Sequence, residues 1–416
     1  MRHGHLFFRC ALLGSAVAIA SLTPALGASG RSVEMKRMLA IQGHQPHAAR
    51  VHGGGLSVAD GTYTVLHQFA GGANDGAGSG ANVTIDDEGN IYGTTDFGGA
   101  KDDGTVFKLA TNGNVTVLHS FSGSDGEGPD GGVIVTKKGV VIGTAGGGGT
   151  SGNGVIFQIT KKGKFKVLHN FSSNDGSFIR GDLVGDKDGN LYGTALFGGV
   201  NGDGTVFKYA ADGTFSVLHA FNGDDGEFPE HGVVLDRAGN LYGVTAFGGD
   251  SDNGTVFKIA SDGTFSTLHS FAGSDDGSFL YGGLDIDSDG NLYGSTTEGG
   301  TGDSGTVFKM APNGNVTTLY NFTGGADGGS PQGDMLRMGK NLYSVADEGG
   351  DPGCLCGVVY EITAKGKAKV LHSFAGGADG GGYSAGLVAN NGAFYGTTAS
   401  FGTHSDGVVF KVTKKK

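Results

Sequence analysis

Three phrases recur along this chain at intervals of about 50 residues, and a period of that length leaves few folds open. "LHxF"-like phrases start at Leu66, Leu118, Leu168, Leu218, Leu268, Leu319 and Leu371. "GTVF"-like phrases start at Gly104, Gly154, Gly204, Gly254, Gly305, Gly357 and Gly407. "NLYGTT"-like phrases start at Asn90, Val140, Asn190, Asn240, Asn291, Asn341 and Ala393. One clean unit runs from Gly181 to Phe221 and holds four apolar-rich segments, "GDLVG", "NLYGTA", "GTVFKYA" and "TFSVLHAF". "DKDG" and "ADG" make tight hairpin joints, whereas "FGGVNGD" and "NGDDGEFPEH" are longer connections. Four antiparallel strands per unit of this length predict an all-β fold, a seven-bladed β-propeller. In the last segment Phe215, Val217, His219 and Phe221 alternate with Ser216, Leu218 and Ala220, predicting two buried faces, as between neighbouring blades.

The first "YTVLHQF", residues 63–69, precedes any unit to which it could belong. The last unit, near 384–413, lacks its outer strand. Seven whole blades therefore require strand 63–69 to complete the last blade and close the ring, which also protects two strand edges.

Composition agrees with a loop-rich β-protein. Of 416 residues 85 are Gly, and the acids are 33 Asp against 8 Glu, so acidity follows turns more than helices. Residues 1–27 read as a signal peptide, with a basic start, an apolar core and a small-residue cleavage site. Their removal deletes Arg2 and Arg9, taking the net charge from −12 to −14. That charge argues against nucleic acid as a partner. The expected order is signal peptide 1–27, flexible segment 28–61 and propeller 62–416. The expected product is an exported monomer, periplasmic or extracellular, with no transmembrane segment after signal removal.

The combined phrase "GNLYGTTxFGGxxxxGTVFKxAxxGxxxxLHxF" resembles the GloVer tandem repeat of bacterial "choice-of-anchor" proteins over about residues 62–413. The resemblance implies an exported bacterial repeat protein, often tethered by a C-terminal sorting segment, and it transfers no activity. This chain departs from the tethered pattern by stopping at "VFKVTKKK".

Several repeated positions are candidates for chemistry. His67, His119, His169, His219, His269 and His372 share one slot, occupied by Tyr320 in the sixth copy. Equivalent outer strands lie too far apart for shared metal ligation, so these side chains are read as structural, bonding a Thr, Asp or backbone group within the blade. Asp-Gly recurs in every loop between units, at Asp75, Asp125, Asp175, Asp225, Asp276, Asp327 and Asp379. These are turn formers or, alternatively, a carboxylate ring near the channel mouth. Phe97, Phe197, Phe247 and Phe401 precede or join Gly-rich loop turns, where they could stack on a ligand or pack beneath the loop. With Asp225 and Asp276 they form the candidate ligand set on the long-loop face. Cys354 and Cys356 are candidates for a disulfide. His44, His47 and His52 lie in the segment before the repeats. "DIDSDGNLYG" from Asp285 imitates a calcium loop but has Thr296 where the twelfth-position Glu belongs.

No catalytic motif, metal site or cofactor site emerges. The leading expectation is a non-catalytic binding or envelope scaffold, with an extracellular saccharide or protein as partner. The alternative is a secreted polysaccharide lyase or hydrolase acting at the channel mouth. Near-symmetric repeats favour the scaffold; an asymmetric cluster of His, Arg and acids would favour the enzyme.

Overall fold

Every unit contributes four antiparallel strands, and the units are arranged around one axis as seven blades. The computed structural model describes residues 61–414. The signal-peptide reading, almost all of the 28–61 segment and His44, His47 and His52 lie outside the described residues. In the third blade the strands run Val184–Gly185, Leu191–Ala195, Thr205–Tyr209 and Phe215–Ala220, hydrogen-bonded in that order from axis to rim. Among the described residues the only helical turn is Gly377–Asp379, and no helix is long and apolar enough to cross a membrane.

The last blade is composite. Its inner three strands are Val388–Asn390, Ala393–Thr398 and Val408–Lys414, and its outer strand is Gly61–Gln68 from the start of the described chain. Gly61 pairs with Lys414 and Gln68 with Val408, so the ends of the repeat array are zipped together. Lys414 then donates to Glu361 of the sixth blade at 2.8 Å. Glu361 occupies the slot that holds Lys in five other blades and Gln158 in the second.

Alternation along each third strand explains the core. Val206 and Phe207 are both fully buried, but Val206 faces the fourth blade while Phe207 faces the second. The described residues form seven such apolar clusters, each filling the gap between consecutive blades. The Gly of "NLYGT" has a packing reason. A Cβ on Gly193 would stand 2.7 Å from the ring of Phe207 on the paired strand.

Each outer strand departs from strict alternation. Val206 pairs with His219 and Phe207 with Val217, which leaves Leu218 as an extra residue in a β-bulge. The expectation that Phe215 and His219 share a face is therefore corrected. Phe215 stacks on His169 of the preceding blade at 3.8 Å, and His219 stacks on Phe265 of the following blade at 3.6 Å. The bulge moves the second half of the strand to the other face.

Candidate functional site

The repeated histidines and the Asp-Gly carboxylates meet each other. Within each blade the outer-strand His Nε2 lies 2.9–3.2 Å from the carboxylate of the following loop, from His67–Asp75 to His372–Asp379. In the fifth blade the Tyr320 hydroxyl donates to Asp327 at 2.8 Å. These carboxylates also accept backbone N–H groups, as Asp225 does from Asn222 and Asp276 from Ala272. They are turned toward the outer strands, so the alternative of an Asp-Gly carboxylate ring at the channel mouth is corrected. Asp225 and Asp276 are already engaged inside their own blades. Burial lowers the pKa of His119 and His219 despite the carboxylate beside each. The Asp287 carboxylate accepts from the amides of Asp289 and Asn291 and from the Tyr293 hydroxyl, so the calcium-like stretch is a capped hairpin.

The four loop phenylalanines separate. Phe97 and Phe401 are 39% and 37% exposed, Phe247 is half-buried, and Phe197 is buried. Phe401 is also out of register with the others. Ser400 bridges to Gly381 as Glu298 does to Ser278, which puts Phe401 in the next position with φ 63°. Cys354 and Cys356 have Cα atoms 5.1 Å apart, within the range a disulfide requires.

A second group, missed in the sequence, occupies the axis. Four residues before each of the seven inner strands stand Gly80, Asp130, Arg180, Glu230, Tyr281, Gln332 and Ser384. They vary completely within an otherwise constant repeat, and that variation was the available signal. Arg180 bonds Asp130 through Nε and Glu230 through Nη1 at 3.3 Å. Its guanidinium lies 5.8 Å from the Phe178 ring centre. Tyr383 leans across Gly80, where a Cβ would stand 2.7 Å from its ring. Burial raises the pKa of its hydroxyl well above the ordinary value, with Arg180 opposing and Asp130, Asp347 and Glu230 adding to the rise.

Two acids from the ends of second strands join this layer. Burial, then the neighbouring Asp130, push the Asp96 carboxyl well above the usual range, against the pull of Arg180. Burial, then Glu348, push Asp347 up to about 8. Burial likewise raises Glu230, with Arg180 opposing. Between these residues and the inner strands is a floor of Asn82, Asp182, His231 and Asp334. Asn82 Nδ2 donates to Asp182 at 2.9 Å and to Asp334 at 2.6 Å, and His231 Nδ1 lies 2.8 Å from Asp334. Burial opposes a charge on His231, but Asp334, Asp182 and Glu230 outweigh it and raise its pKa to about 9.

The mouth has two unlike halves. Blades three to five begin with Phe178, Phe228 and Phe279, whose φ angles of 60°, 55° and 62° are left-handed. The same position is Gly78, Gly128 or Gly382 in three other blades. Bulky residues rarely hold this conformation, and such outliers concentrate at ligand clamps. With Phe197, Phe247 and Tyr281 they form an arc of ring contacts 5.0–6.3 Å apart. The opposite half, blades six, seven and one, presents Asp347, Tyr383, Ser384 and Asp96. A cavity of about 240 Å³ runs along the inner strands of the first three blades, bounded by Thr84, Gly132, Ile134 and Asp182.

Fold and axis together define a β-propeller repeat protein whose blades are alike at the rim and unlike at the centre. Its sequence matches the Gloeobacter/Verrucomicrobia repeat over residues 54–238 and 229–416, so the chain belongs to that family. No curated protein matches it. Among solved structures it is similar to the extracellular domain of a protein described as a one-component system, BT4673 from B. thetaiotaomicron. That similarity has 12% identity and a TM-score of 0.53 over 85% of this chain and 42% of that one. It is also similar to puromycin hydrolase, with 14% identity and a TM-score of 0.52 over 80% of this chain and 53% of that one. This chain thus spans about half the length of each, and at such identity the likeness concerns the fold alone.

Proposed function

We propose that this protein is an exported binding propeller that takes a saccharide at the axial mouth of its long-loop face. The observation that carries the reading is the layer of Asp96, Asp130, Arg180, Glu230 and Asp347, set unevenly into a repeat that is otherwise nearly uniform. Packing does not require buried charges at the axis, and they cost stability unless they are used. Aromatic side chains on one side and hydrogen-bonding groups on the other suit a pyranose ring, which has apolar faces and a polar edge. Export is supported by the leader-like residues 1–27 and by the family resemblance. The extracellular setting of one similar propeller is in keeping with it.

The test is a binding screen of purified protein against neutral, amino and uronic-acid glycans, repeated with Arg180→Ala and Phe178→Ala. Binding lost in both variants while the folded state persists supports the mouth as the site. Binding unchanged in both removes the mouth from consideration.

A second reading, hydrolysis or elimination on a polysaccharide, is favoured by one observation. Burial, and then Asp130 beside it, raise the Asp96 carboxyl well above the usual carboxylate range, and a carboxyl raised in this way can serve as a general acid. Shortened products after incubation with polysaccharide, abolished in Asp96→Asn, would establish it.

A further inference from the structure

At the mouth, Oδ1 of Asp96 and Oδ1 of Asp347 are buried without a hydrogen-bond partner, and so is the hydroxyl of Ser384. Ser384 is 1% exposed, and its backbone N–H supports the Asp347 carboxylate. A buried acceptor left without a donor forfeits its solvation with nothing in return. Such atoms are few in native proteins, and three in one layer ask for a group that is absent. Two of them are carboxylate oxygens and the third is a hydroxyl, so the common need is for a donor.

Charge narrows the donor further. Four acids, Asp96, Asp130, Glu230 and Asp347, share one guanidinium, and Arg180 bonds Asp130 through Nε and Glu230 through Nη1. Burial holds the Asp96 and Asp347 carboxyls above the usual range, so a cation bound beside them would favour their charged form, whereas an anionic ligand would oppose it further. Among the described residues no group of three or more His, Cys, Asp or Glu is set to hold a metal ion. A primary ammonium, with three donors, no acceptor and a full positive charge, fits the vacant positions. The aromatic half stands across the axis from these acceptors, where it can meet the ring that carries the amine.

We infer that the ligand is an amino sugar whose protonated amine is held by Asp347 and Ser384, with Asp96 facing it from the first blade. This rests on the mouth being the saccharide site and adds the chemistry that the site selects. Asp96, Tyr383 and Asp130 lie on the same side, so an N-acetyl group, which is neutral and bulkier, loses the charge that the pocket complements.

The experiment is calorimetric titration of the full-length folded protein with a glucosamine tetramer, its N-acetylated counterpart, cellotetraose and Nα-acetyl-lysine amide. The glucosamine tetramer is expected to bind at least about tenfold tighter than either neutral sugar. Asp347→Asn should weaken it by about tenfold or more, as loss of one charge-assisted hydrogen bond would. Ser384→Ala should weaken it by a smaller factor, and neither variant should lower the melting temperature. Asp96→Asn supplies an independent variant if one of these fails to fold. Equal binding of N-acetylated and free amino sugars, or unchanged affinity in Asp347→Asn, overturns the inference while leaving a saccharide site at the mouth. Preference for the lysine amide overturns it in favour of a peptide amine. Absence of binding by all four overturns it together with the reading on which it rests.

Discussion

The ring of Tyr63 lies flat on that of His372, with centroids 3.7 Å apart and planes within 7°. Tyr63 belongs to the strand that closes the array, and His372 to the outer strand of the sixth blade. The Tyr63 hydroxyl also donates to the carbonyl of Asp379 at 2.5 Å, across 316 residues of chain. Burial, and then the charge of Asp379, raise the Tyr63 pKa far above the ordinary tyrosine value. The same stacking joins His119 to Phe165 and His169 to Phe215. The closing strand therefore uses the contact that other consecutive blades use.

Ring closure predicts unequal truncations. Removing residues 1–58 should leave the melting temperature nearly unchanged, whereas removing residues 1–69 should lower it sharply. Tyr63→Ala alone should cost about 1–3 kcal/mol, the usual range for losing a packed side chain. Equal melting of the two truncations would refute a closing role for the strand.

The split among the loop phenylalanines predicts a split in behaviour. Phe197→Ala, at a buried ring, should cost roughly 3–5 kcal/mol in chemical denaturation. Phe97→Ala, at an exposed ring, should stay within about 0.5 kcal/mol of wild type. The reverse order would mean that exposure has been misassigned at both sites.

Cys354 and Cys356 should be oxidised to each other in protein recovered from an oxidising compartment. Alkylation without reductant should then add no mass, and alkylation after reduction should add two labels. Two labels before reduction would show free thiols instead.

The floor predicts a pH dependence. His231 is raised from its ordinary value to about 9, so the folded state holds a proton that the unfolded chain releases earlier. Its stabilisation is complete below about 6.5, the unfolded value, and is lost as pH rises through about 9. Asp347, raised to about 8, acts in the same direction, favouring the folded state at low pH and progressively less from about 4 upward. Denaturation midpoints should therefore fall between pH 6.5 and 9. His231→Asn should remove part of that slope, and Asp347→Asn should raise the midpoint at neutral pH. A wild-type profile flat across this window would contradict both assignments.

The repeat determined the blade count, the strand order and the ring closure without any structure. These rest on local turn chemistry and on a side-chain period of two, both written directly into each unit. His219 and Asp225 could each be read as structural, but their bond required the loop to fold back on the strand. The bulge at Leu218 was not legible, because pairing register depends on the partner strand, and it reversed the facing of Phe215 and His219. The offset of Phe401 was legible in spacing, because Phe97, Phe197 and Phe247 stand seven residues before Gly104, Gly204 and Gly254, whereas it is Ser400 that stands seven before Gly407. The axial site lay furthest from sequence reasoning. Asp130, Arg180 and Glu230 stand 50 residues apart and look like tolerated variation while each repeat is read alone. Only the closed ring brings one residue from every blade to a common axis, where charges with no partner in their own unit find one in the next.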